Sequence, residues 1–330
     1  GRRLFCSTVA RPVRKERPLL RFILKRLLLA IPTLFAVLTI IFLLMRVAPG
    51  DPAYAVLGDY ATEDAVNALR EQMGLNKPIW EQYLSYMGDV LRGDLGNSLV
   101  TRQPAWDQIR TVLPYTLQLT AAAIVIALSL GIPAGVITAV RQNSWIDYLV
   151  RVLSLAGLSA PAFYIGLLLM YLLSAKAGWF PAISTAGFNE PLKNLHALVL
   201  PAITLGLVET AYVTRMTRSV MLNVLSEDYV RTARAKGLAS RTVLIRHALR
   251  PGMVPIVALI GIFTIGLIGG SVLTEEVFAR PGLGKLMVGA RTRRDYTLLQ
   301  AIMVVYAFII VIVNIVVDII YTWVDPRVRR

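Results

Sequence analysis

Six apolar segments, each close to the length of a bilayer crossing, constrain this chain more than any other feature. A helix needs about 20 apolar residues to cross the hydrocarbon core. The segments run approximately Leu27–Met45, Tyr115–Val140, Leu149–Ala175, Ala197–Val213, Met253–Leu273 and Leu298–Tyr321. In lipid every backbone amide must find its partner within the segment or a closed barrel, so runs of this length predict helices. The expected fold class is all-α, a polytopic membrane protein with six transmembrane helices. Glu209 interrupts the fourth segment, while the second and third are long enough to tilt or to extend beyond the bilayer. Hydrophobic residues are 56% of the chain, above the roughly 45–50% of soluble domains, and their blocking into runs puts the excess in lipid.

The net charge of +15 would suit a nucleic-acid partner in a soluble protein. Here the basic residues flank apolar spans, the arrangement that orients helices in a membrane, and no nucleic-acid partner is expected. Six spans put both termini on one side. That side carries 22 Lys and Arg against 13 on the other, which predicts cytoplasmic termini. The 275–297 loop is a local exception, with five basic residues on the outer side. Cys6 is the only cysteine, and His196 and His247 fall in different loops, so neither a disulfide framework nor a metal site is expected.

Residues 1–21 read as a basic cytoplasmic tail, because no apolar core precedes a small-residue cleavage site. The remainder, 22–330, reads as one transmembrane domain carrying two elaborated loops. The first, 46–113, is too long for a simple connection. Thr62 before Glu63 and Asp64 predicts a helix start and Gly74 its end. Ile79, Trp80, Tyr83, Leu84, Met87 and Leu91 then recur at helical spacing up to Gly93. Two short amphipathic helices on the outer surface satisfy that pattern.

The second loop, 214–250, is basic and helix-prone. Ser226-Glu227-Asp228-Tyr229 opens a helix that continues through Arg231, Ala233, Arg234, Ala235 and Lys236 to Gly237, and a second helical piece runs from Ser240 to about Leu249. Gly237 permits a backbone turn between the pieces that other residues resist. Small residues at 233 and 235 would let a partner's backbone approach, with Arg231, Arg234 and Lys236 supplying charge. An ordinary basic loop that only fixes topology has the same composition.

Further marks follow in order. Pro49-Gly50-Asp51-Pro52 follows the first span, and Gly93-Asp94-Leu95-Gly96-Asn97-Ser98 closes the outer helices. Val277-Phe278, then Pro281-Gly282-Leu283-Gly284, follows the fifth span, with Arg294-Asp295-Tyr296 and Gln300 behind it, and Asp325-Pro326-Arg327 ends the chain. Together with Asp228-Tyr229-Val230-Arg231-Thr232-Ala233-Arg234-Ala235-Lys236-Gly237, these marks resemble the permeases of ABC importers, specifically the dipeptide, oligopeptide and nickel transport family and its B-type subunit. The general permease signature is only partly kept, at Ala233, Gly237 and Leu249, but the peptide-type loop matches closely. Gly282-Leu283-Gly284-Lys285 is no phosphate loop, since Ala279 replaces the earlier Gly and Leu286 the Ser or Thr.

The resemblance implies the type I importer permease fold in a bacterial inner membrane and a transport role without catalysis in this chain. It implies no cofactor here, with ATP and Mg bound by two cytoplasmic ATPase subunits seated on the 226–250 region. It also implies a homologous second permease completing the path and a periplasmic or extracellular substrate-binding protein. The resemblance implies di- or oligopeptide cargo, with glutathione, nickel or a sugar as the alternative.

Gly266, Gly269, Gly270 and Ser271 of the fifth span either pack against neighbouring helices or widen the path. Glu209 is an intramembrane ionisable group with a functional or a structural role, Arg215 being its nearest candidate partner. For Asp318 the expected partner is Arg218 or Arg327. Phe278, Pro281, Gly282, Leu283 and Gly284 form a turn expected to present Phe278 and Leu283 to the binding protein, with local packing as the alternative. An ion-coupled secondary transporter would draw on Glu209 alone, and an intramembrane enzyme would need a histidine or metal set within a span.

Overall fold

A computed structural model describes residues 18–47, 52–57 and 62–324. The Pro49-Gly50-Asp51 turn, the Asp325-Pro326-Arg327 end and nearly all of the 1–21 tail lie outside the described residues. Among them the fold is helical throughout, with one isolated bridge between Asn97 and Pro104 as its β pairing.

Five helices are long and apolar enough to span a membrane. They are α1 (Pro18–Val47), α5 (Ala105–Val140), α8 (Pro191–Ser226), α11 (Arg250–Val277) and α13 (Tyr296–Val324). The expected third span is broken into α6 (Trp145–Ser159) and α7 (Ala162–Leu169), the latter continued by a π-helical stretch to Lys176, with a bend of 103°. Pro161 explains the break: it disfavours helical geometry at Ala160, whose ψ is 131°. Counted as one crossing, the bent pair brings the spans to six.

Smaller helices cap the two ends of the bundle. At one end lie α2 (Pro52–Leu57), α3 (Glu63–Gln72), α4 (Ile79–Leu91) and α12 (Leu283–Thr292). At the other lie α9 (Asp228–Ala235) and α10 (Ser240–Thr242), the latter running through a π-helical turn, Val243–Leu249, into α11. That turn ends two residues before Pro251, which has no N–H for an i→i−4 bond, and the Arg250 N–H donates to the Ile245 carbonyl, five residues back.

The core is the parallel pair α5 and α8, the most extensive helix contact among the described residues. A Cβ added at Gly131 would lie 2.7 Å from Val213 Cβ, and one at Gly135 would lie 2.6 Å from Thr217 Cβ. With Ala127, these residues form a small-residue stripe that lets the two backbones approach, as close packing in lipid requires. Leu119, Ala123, Leu198, Ala202, Leu205 and Leu267 fill the centre, bringing α11 onto the same pair. α1 joins through Leu38, which packs with Met87 of α4 and Val304 of α13.

Asp147 and Arg218 lock α6 to α8 near the α9 end. Arg218 Nε and Nη2 donate to the two Asp147 oxygens at 2.8 and 2.9 Å, and Asp147 is fully buried. Arg218 is therefore not the partner of Asp318, which pairs instead with Arg26 of α1 at 2.8 Å. Arg327, the other expected partner, lies outside the described residues.

Candidate functional site

At the α9 end, Val230 and Ala233 are buried against Val243 and Leu225, which fixes α9 to the bundle by one face. The other face is uncovered: Glu227, Asp228, Tyr229, Arg231, Arg234, Ala235 and Lys236 are all exposed. The surface role expected of Ala233 is corrected, because its methyl packs inwards; Ala235 is the small residue left outside. Gly237 has φ +75° and closes the helix in a Schellman motif. Its N–H donates to the Arg234 carbonyl at 2.9 Å, and the Leu238 N–H reaches back to Ala233 at 3.4 Å. A Cβ at Gly237 would meet nothing within 4 Å, so the constraint there is backbone conformation and not space. Partial burial, followed by the Glu227 charge, pushes the Tyr229 phenol up.

The opposite end is built inwards. Glu275, near the end of α11, is fully buried. Its Oε1 accepts from Thr116 Oγ1 at 2.6 Å, and its Oε2 accepts from the N–H groups of Gly284 at 2.8 Å and Lys285 at 3.3 Å. The carboxylate thus caps the N-terminus of α12, where orphan amides and the helix dipole favour negative charge. Thr116 Oγ1 in turn accepts from the Leu283 N–H at 2.8 Å. Side chains at 282 and 284 are excluded: a Cβ on Gly282 would collide with the Glu275 carboxylate, and one on Gly284 with the Val272 backbone. The glycines of Pro281-Gly282-Leu283-Gly284 are therefore there for close approach.

The premise that Phe278 and Leu283 face the aqueous side does not hold, since both are fully buried. Leu283 packs with Ile109, Ala290 and Ile302. The Phe278 ring lies against Gly166 of α7, its Cε2 3.2 Å from where a Cβ would stand. A hydrophobic side chain after a Pro-Gly turn satisfies the core as well as a partner, and composition alone does not separate the two. Arg280, which follows, is also fully buried; its Nη1 donates to Ser184 Oγ at 2.8 Å and its Nη2 to Gln118 Oε1 at 2.6 Å. Burial pushes its guanidinium below the ordinary arginine value, partly offset by the Glu275 charge.

Two distant sequence marks meet here. Asp295 Oδ1 accepts from the Leu298 N–H, capping α13, and from the Leu99 N–H, both at 3.1 Å, while its Oδ2 accepts from Ser98 Oγ. Gly93-Asp94-Leu95-Gly96-Asn97-Ser98 and Arg294-Asp295-Tyr296 are thus halves of one joint. The sequence marks both segments without showing that they touch, and Glu275, at the edge of an apolar run, carries no sequence signal for its role as a cap.

The candidate path residues separate. Gly266 and Gly269 are exposed, and a Cβ at either would meet nothing within 4 Å. With Ile262 and Leu273, both exposed, they form one stripe of α11 at helical spacing that nothing among the described residues covers. Ser271 is buried and donates to the Ile268 carbonyl, and Gly270 lies near Leu205, so these two face the bundle. Glu209 is buried in α8, and its Oε2 has no hydrogen-bond partner among the described residues. Arg215 makes no ion pair with it.

Spanning helices packed through small residues, one end sealed by buried caps and the other presenting a short exposed helix, define a multi-pass membrane protein of the transporter-subunit class. Residues 131–330 match the family of binding-protein-dependent transport system inner membrane components, and residues 19–120 match the N-terminal region of such components. The chain belongs to this family and has the type I ABC importer permease fold. It is 41% identical to the di/tripeptide transport system permease protein DppB of Pseudomonas aeruginosa, covering 94% of this chain and 99% of the relative. It is 38% identical to the dipeptide transport system permease protein DppB of Alkalihalophilus pseudofirmus, over 94% of this chain and 100% of that one. The glutathione transport system permease protein GsiC of Escherichia coli is 39% identical, at 94% and 99% coverage. Among solved structures, the inward-facing MetNI methionine ABC transporter superposes with a TM-score of 0.53 at 19% identity, covering 64% of this chain and 93% of that one.

Proposed function

We propose that this permease imports short peptides, forming half of a translocation path whose other half is a homologous second permease. A substrate-binding protein delivers cargo at the α12 end, outside the cell, and two cytoplasmic ATPases seat on the α9 end. The observation that carries this reading is the form of α9: one face anchored by Val230 and Ala233, the other presenting Tyr229, Arg231, Arg234, Ala235 and Lys236 to water. A helix held rigidly on one side can pass a differential contact from an ATPase to the spans, which is what biasing two pore states requires. The excess of Lys and Arg on the α9 side supports cytoplasmic termini.

Peptide cargo is supported by the names of the relatives, which carry dipeptide, di/tripeptide or glutathione, all short peptides. The Gly266 and Gly269 stripe suits a face turned to the second permease or to the path, and Glu209 of α8 adds a buried carboxylate whose Oε2 has no hydrogen-bond partner among the described residues. At the α12 end, contact with the binding protein falls to exposed neighbours of the Phe278–Gly284 loop, such as Val100 and Arg293, since Phe278 and Leu283 point inwards. The test is uptake of a labelled dipeptide by proteoliposomes holding the assembled importer. Uptake should require both ATP and the binding protein; saturable, ATP-independent uptake by this chain alone would overturn the reading, and uptake of nickel but of no peptide would overturn its substrate.

A further inference from the structure

A crevice of about 380 Å³ opens between α6 and α8 at the α9 end. One wall is apolar, from Val150, Leu155, Leu158 and Leu222. Arg151, Arg215 and Arg218 line it as well, among the neutral polar side chains of Thr138, Ser154, Thr214, Ser219 and Asn223. The carboxylate facing them is Asp147, buried and shared between Arg218, through two hydrogen bonds, and Arg151, at 3.4 Å. Arg215 is exposed and has no ion pair or hydrogen bond among the described residues. Three cationic groups against one carboxylate leave the crevice positively charged beside an oily wall.

Its depth in the membrane is marked by Trp145 and Tyr148 in the first turn of α6, 73% and 55% exposed. Exposed aromatic side chains of this kind sit at the level of lipid headgroups. Beyond them Leu149, Val152, Leu153 and Leu155 are exposed, so the outer face of α6 is the face of a helix meeting acyl chains. A cationic, half-apolar crevice at the headgroup level between spanning helices has the chemistry that recognises anionic lipid.

We propose that this crevice is a binding site for an anionic glycerophospholipid, its phosphodiester taken by Arg215 and Arg151 and an acyl chain laid along Leu155 and Leu158. A zwitterionic lipid brings an ammonium group, quaternary in the choline headgroup, into a site already rich in arginine. Free phosphate satisfies the arginines but leaves the apolar wall wet. The site requires only that the chain crosses a membrane and stands apart from the coupling role of α9. A lipid seated there would wedge α6 against α8 beside the Asp147–Arg218 lock and so stiffen the broken span.

The test is native mass spectrometry of the full chain, delipidated in mild detergent and then given phosphatidylglycerol, phosphatidylcholine or inorganic phosphate. Phosphatidylglycerol should be retained in preference to phosphatidylcholine, and inorganic phosphate should not displace it. Arg215→Gln should weaken retention by about five-fold, the usual contribution of one arginine at an anionic surface. Leu158→Trp, which fills the crevice without changing charge, should abolish the preference and keeps the test intact if the arginine variant folds poorly. Equal retention of phosphatidylcholine, displacement by phosphate alone, or preference unchanged in both variants would overturn the site.

Discussion

The two ends of this permease use the same backbone device for opposite purposes. At the α9 end, the Schellman motif has glycine at its left-handed position, Gly237, and the next residue, Leu238, is exposed. At the α12 end, α11 and α12 both close in the same hydrogen-bond pattern, but the left-handed residues are Ala279 (φ 48°) and Arg294 (φ 56°). Each is followed by a buried charged residue, Arg280 or Asp295, that ties the turn to other elements. A side chain in the left-handed region costs about 1–2 kcal/mol, so these turns persist because their surroundings over-determine them. The α9 turn has no such support, and glycine relieves it of the cost. One end is a sealed joint; the other, the proposed lever, is attached by two apolar side chains.

If that contrast is right, the same class of substitution should act on stability at one end and on coupling at the other. The largest effect is expected at Glu275. Replacing it with Ala strands Thr116 and the amides of Gly284 and Lys285 in a buried site, and should lower stability by on the order of 3–5 kcal/mol. The thermal midpoint of the purified protein checks this; Glu275→Ala melting with the wild type would remove the keystone from the sealed end. Gly284→Ala comes next, with a loss of roughly 2–3 kcal/mol by the same measurement, because its methyl would press on the α11 backbone at Val272.

At the lever, Gly237→Val should strain only its own turn, by about 1–2 kcal/mol. Membrane insertion should hold and the thermal midpoint should fall by only a few degrees, while peptide-stimulated ATP hydrolysis by the assembled importer falls by about 5–30-fold, the same energy expressed as a rate or occupancy. A lowered midpoint with normal stimulation would make α9 structural. Smallest of all, Ala279→Gly should stabilise the protein by no more than about 1 kcal/mol, because relief of the left-handed alanine is offset by a more flexible unfolded chain. Transport by that variant should match the wild type.

Much of the fold was legible in the sequence because its causes are local. Apolar run length set the spans, Gly74 and Gly237 marked helix ends, and Pro161 was in plain view although the break it causes was not anticipated. What escaped the sequence was long-range. That Glu275 caps α12, that Asp295 joins Ser98 and Leu99, and that Asp147 holds Arg218 all depend on which helix ends meet, and no periodicity encodes that. Leu283 shows the limit most clearly. Its chemistry fits a docking surface and a core equally, and only packing with Ile109 and Ile302 assigns it to the core. The exposed face of α9 was expected from charge, whereas the inward turn of Ala233 required the helix to be placed against Val243 and Leu225.

The claim that α9 is the seat of the ATPase is tested most directly by crosslinking from both ends of the assembled importer. With Cys6 replaced by Ser, a photoreactive group at Ala235→Cys should capture an ATPase subunit, and one at Val100→Cys, exposed at the α12 end, should capture the binding protein or nothing. An importer in which position 235 never reaches an ATPase, while position 100 does, would contradict the account.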